Sequence, residues 1–88
     1  MSRRMYRYVV SVDDQWHEVN LSGNPVAVAA IGPISVEFWA EHTDGFPQMP
    51  RRFRVFGTGD PLPHGVRWIG TCPRTPAGLV WHLYEVTE

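Results

Sequence analysis

The sequence predicts an all-β fold, a single small antiparallel β-sandwich or flattened barrel of about seven short strands within one domain spanning residues 1–88. Three observations lead there. Val, Ile, Thr and aromatic residues outnumber the strong helix formers, with only four Leu and no Lys, a balance that favours strands. Short alternating runs are separated by turns drawn from eight Gly and eight Pro. No stretch holds a helical period for as long as about ten residues. Hydrophobic content of 43% with four Trp supplies a core and excludes general disorder.

Met5 to Val12 alternates, with Tyr6, Tyr8, Val10 and Val12 on one face. Asp13-Asp14-Gln15 supplies a turn, and Trp16 to Leu21 alternates again, so the two runs are expected to form a hairpin. Ser22 to Pro25 makes the next turn. Val26 to Ile31 is small and apolar on both faces, as in a strand covered on both sides, although its alanines leave a short helix open. Gly32-Pro33 ends it. Ile34 to Glu41 has the cleanest period of two, Ile34, Val36, Phe38 and Ala40 against a solvent face of Ser35, Glu37, Trp39 and Glu41. His42 to Pro50 reads as an exposed, mobile loop. Arg51 to Phe56 sets Arg52, Arg54 and Phe56 opposite Phe53 and Val55. Gly57 to Gly65 is too rich in Gly and Pro for a regular element. Val66 to Cys72 is a sixth strand and Leu79 to Val86 a seventh, whose two apolar faces place it in the interior.

Charge and cysteine content narrow the function classes. The formal net charge of −1 removes the electrostatic basis for a dedicated nucleic-acid or anionic-membrane binder. The single Cys72 excludes an internal disulfide and a multi-thiolate zinc site, and reads as a small apolar strand residue. The apolar stretch after Arg3, Arg4 and Arg7 is too short for a secretory signal, and the uncharged run Val19–Val36 is broken by two turns, so neither export nor a membrane span is expected.

No constellation of catalytic type stands out. His17, His42, His64 and His82 lie on different elements without ligand spacing, and no nucleophile elbow is present. The chain is therefore read as a non-enzyme with no cofactor and no metal. Eight residues are the binding candidates. Arg51, Arg52 and Arg54, interleaved with Phe53 and Phe56, form the dense positive group, expected to be neutralised by Glu37, Glu41 and Asp44 on a neighbouring strand. Gly57, Thr58 and Gly59 resemble a phosphate-cradling loop but lack its third glycine and its helix, so a bend between sheets competes with anion binding. His82 interrupts an apolar strand and must satisfy both ring nitrogens as a hydrogen-bonded core histidine unless it binds a ligand. Trp39, on a polar face, is the first candidate for a partner interface.

The segments Phe53–Pro63, Ile69-Gly70-Thr71 and Leu79–Leu83 resemble a family of small proteins of unknown function encoded by bacteriophages and actinobacterial genomes. The Tyr/Val-rich Tyr6–Leu21 and the Val-x-Phe-Trp-Ala run Val36–Ala40 fit the same outline, so the likeness covers nearly the whole chain. Relatives often read Gly-Thr-Gly-His where this chain has Asp60, with its histidine displaced to His64, which weakens a catalytic or metal role for the loop. The resemblance implies a phage or prophage accessory protein in the host cytoplasm. Its expected mode is protein binding or self-association, with a homodimer or a host protein as partner; nucleotide-like ligand binding and a minor virion component are the alternatives.

Overall fold

A computed structural model describes residues 2–87. Its seven strands are β1 (Arg3–Ser11), β2 (His17–Leu21), β3 (Pro25–Ile31), β4 (Ser35–Thr43), β5 (Met49–Gly57), β6 (Val66–Thr71) and β7 (Trp81–Val86). They form two antiparallel sheets, β1-β4-β3 and β2-β5-β7-β6, that pack face to face without closing into a barrel. No helix of the described residues is long and apolar enough to cross a membrane.

The strongest alternation in the sequence becomes β4, the central strand of the smaller sheet, and its Val36, Phe38 and Ala40 are buried. Across the sandwich they meet Phe53 and Val55 of β5 and Leu83 of β7. The Phe38 and Phe53 rings lie 4.8 Å apart, the main aromatic bridge between sheets. As its two apolar faces predict, β7 is interior, between β5 and β6. Cys72 follows β6 into the core, where its N–H donates to Trp81 O at 2.9 Å and burial pushes its thiol pKa up.

Four local expectations change. The Met5–Val12 and Trp16–Leu21 runs do not form a hairpin: β1 pairs with β4 and β2 with β5. Each run has one apolar face, and crossing between sheets lets Val10 and Leu21 enter one core from opposite sides. The turn is held by Asp13 Oδ1, which accepts from Gln15 N at 3.1 Å and lies 2.7 Å from His17 Nε2, with Asp14 at φ 61°. Secondly, β3 is an edge strand, so Ala27 and Ile31 are exposed rather than covered on both sides. Thirdly, the His42–Pro50 loop shrinks to residues 44–48, because Arg3 and Arg4 give Thr43 and His42 ladder partners and β5 already starts at Met49. Fourthly, Glu37 and Glu41 lie in the other sheet from the arginines of β5 and pair instead with Arg7 and Arg3. Local alternation fixes a face, and these partners are set by distant strands.

Candidate functional site

Paired residues of adjacent strands share a face, and two rows cross the outer face of the four-stranded sheet. The first is Arg54 of β5, Tyr84 of β7 and Trp68 of β6; the second is Phe56, His82 and Thr71. Trp16, just ahead of β2, packs edge-on against Phe56 at 6.2 Å, and Tyr84 does so at 5.5 Å. Phe56 is thereby buried on what would otherwise be a solvent face. The Arg54 guanidinium lies 4.7 Å from the Phe56 ring centre and 5.9 Å from that of Trp16, a cation held between aromatics. Asp14 lies 3.7 Å from its outer nitrogen.

Trp68 remains 58% exposed on this face. It is nevertheless fixed, since its Nε1–H donates to Thr71 Oγ1 at 2.9 Å. Thr71 Oγ1 is also 2.9 Å from His82 Nδ1, and Thr58 Oγ1 is 2.9 Å from His82 Nε2. A β-bulge at Ile69 makes this possible: the extra residue between Trp68 and Gly70 brings Trp68 and Thr71 to one face. Both ring nitrogens of His82 are engaged, as expected, but the histidine sits half-buried on the sheet surface rather than in the core. Its surroundings are hydroxyls and aromatics, a network that orients side chains.

The residues singled out from sequence divide among three places. Arg52, Arg54, Thr58 and His82 gather on this outer face, Arg52 exposed opposite Glu18. Arg51 points to the other side of β5, where Nε and a terminal nitrogen donate to Glu85 at 2.5 and 2.8 Å and the remaining nitrogen donates to Asn24 Oδ1 at 2.9 Å. Arg67 donates to the same carboxylate at 3.0 Å. Glu85 is only 5% exposed; desolvation raises its pKa, but the hydrogen bonds and charges of the two arginines outweigh it and hold the carboxyl below its ordinary range. Arg51 is thus a structural cation, and the arginine cluster is split. Gly57 to Asp60 is a tight turn: Asp60 N donates to Gly57 O at 3.1 Å, Gly59 has φ +93°, and Asp60 Oδ2 accepts from Gly57 N at 2.8 Å. The carboxylate occupies a donor that an anion would need, so the bend reading prevails at this loop. Trp39 lies half-buried on the outer face of the smaller sheet, beside Arg7 and Ala27.

Sequence reasoning missed Trp16, Trp68, Thr71 and Tyr84. Gly70 inside a strand was the available signal of a bulge.

The family model described as Domain of unknown function (DUF7352) matches residues 1–88. The chain belongs to the DUF7352 family. No curated protein and no solved structure matches it. The family's description assigns no role, so the role is argued from the chemistry of the face just described.

Proposed function

We propose that this DUF7352 protein is a non-enzymatic binding protein that grips a host protein through the outer face of its four-stranded sheet. The setting is that of an accessory protein of a phage or prophage, acting in the cytoplasm of an actinobacterial host. The observation that carries the reading is Trp68: a large indole, more than half exposed, yet hydrogen-bonded to Thr71 and set beside Tyr84, in a row across the sheet that ends at Arg54, which itself lies over Trp16. Trp, Tyr and Arg are the side chains that dominate protein-binding hot spots, and prior immobilisation lowers the entropy lost on contact. The His82 network supports the same role by bracing Thr71 from the neighbouring strand.

The nucleotide-like alternative loses support from the separation of Arg51 from Arg54 and from the Asp60 carboxylate over Gly57. The test is affinity capture from host extract with wild type, Trp68→Ala and Trp39→Ala in parallel. A partner held by wild type and Trp39→Ala should be weakened by about 2 kcal/mol or more in Trp68→Ala, roughly thirtyfold in Kd. A partner insensitive to Trp68→Ala, or a nucleotide that raises the melting temperature of wild type, would refute the proposal.

A further inference from the structure

A sandwich of open sheets has four edges, and three of them here are blunted. The β3 edge begins with Pro25 and is irregular between Pro25 and Ala27, the β6 edge is bulged at Ile69, and β2 has only five residues. These are the devices by which sheets avoid unwanted pairing. In contrast, β1 runs nine residues with no Pro or Gly, and every one pairs with β4 in unbroken register.

The direction of its free groups follows from the ladder. Val12 N donates to Ile34 O at 2.8 Å and Asp44 N to Ser2 O at 3.0 Å, so even-numbered residues bond to β4. In an antiparallel ladder the alternate residues then point N–H and C=O away. Arg3, Met5, Arg7, Val9 and Ser11 therefore carry the unpaired groups.

We propose that β1 pairs with β1 of a second copy, antiparallel about a twofold axis at Arg7, merging two three-stranded sheets into one. This register is self-complementary. Arg3 meets Ser11, Met5 meets Val9 and Arg7 meets its own counterpart, so every free N–H of one strand faces a carbonyl of the other. On the outer face the exposed Met5 (51%) and Val9 (52%) become apolar cross-strand pairs. On the inner face Tyr6, 40% exposed, comes opposite Tyr8. Three arginines, Arg3, Arg4 and Arg7, are the charges that would guard such an edge. Arg3 is tied back to Glu41 at 3.4 Å and Arg7 to Glu37 at 3.3 Å. Arg4, opposite His42 in the ladder and close to Asp44, comes opposite Val10 in the proposed register, so no arginine but Arg7 meets a like charge. The association goes beyond the Trp68 face and uses the other sheet.

Sedimentation equilibrium of the full chain in the micromolar range should give twice the 10.1 kDa chain mass. Val9→Pro should raise the dimer Kd at least about tenfold; it removes only an outward N–H, so the β1–β4 ladder and the circular dichroism spectrum stay intact. Met5→Pro does the same at a second position. Arg7→Cys should cross-link to itself on oxidation, because hydrogen-bonded partners have Cα atoms about 5.5 Å apart, within disulfide reach. Met5→Cys should cross-link only when mixed with Val9→Cys, while wild type, with Cys72 buried, gives no cross-link. A chain that stays monomeric in that range, a dimer that survives both proline variants, or Arg7→Cys chains that fail to cross-link would overturn the proposal. Trp68→Ala leaves this dimer intact, so its failure and that of the partner face are read separately.

Discussion

Cys72 carries a thiol at 2% exposure, and burial holds its pKa above the ordinary value. A protonated, inaccessible sulfur is a poor nucleophile. Maleimide should leave the native protein unlabelled and label it fully in denaturant, with labelling rate tracking unfolding; fast labelling of the native state would refute this environment. The same scale explains why Arg51 and Arg54 differ despite standing three residues apart. Their position on opposite faces of β5 follows from alternation. Their partners, Glu85 for one and Phe56 with Trp16 for the other, follow only from which strands lie alongside.

At the scale of elements, β3 and β6 approach closely at Gly70, where an added Cβ would lie 2.7 Å from Val28 Cγ2. Valine cannot swing its methyls aside freely. Gly70→Ala should therefore destabilise the fold by about 1–3 kcal/mol in urea titration, and Gly70→Ala with Val28→Ala should recover part of that loss. Equal destabilisation by the double variant would show that the contact is not the cause. All seven strands were legible in the sequence, within a few residues at each end, because period two and Gly/Pro turns are local signals. Pairing was not. Nothing within Met5–Leu21 says that two adjacent amphipathic strands part into different sheets, and Val26–Ile31 reads the same whether it is flanked or at an edge. Half of the candidate site was legible for the same reason: Arg52, Arg54, Thr58 and His82 stand out by type, whereas Trp68 and Thr71 come together only through the bulge at Ile69.

Across the whole molecule, Glu85 links the Gly23–Asn24 turn, β5, β6 and β7 through Arg51 and Arg67. Its folded pKa is depressed, so its contribution to stability is present above the ordinary carboxylate pKa and is lost as pH falls through the lower folded value. The melting temperature should thus drop on acidification below about pH 4.5, and Glu85→Gln should flatten that drop. At neutral pH Glu85→Gln should cost on the order of 3 kcal/mol, because it leaves the half-buried Arg51 without its counter-charge. An unchanged acid profile in Glu85→Gln would place the sensitivity elsewhere.

The interior position of β7, last in chain order, bears on how such a protein comes off the ribosome. β3 and β4 can zip together as soon as they emerge and β1 can join them, but their underside, with Phe38 at its centre, waits bare. β2 and β5 can close only one side of the opposing layer. Until β7 is threaded between β5 and β6 the polypeptide displays a sticky half-shell, which makes the interval before β7 emerges its most chaperone-dependent moment.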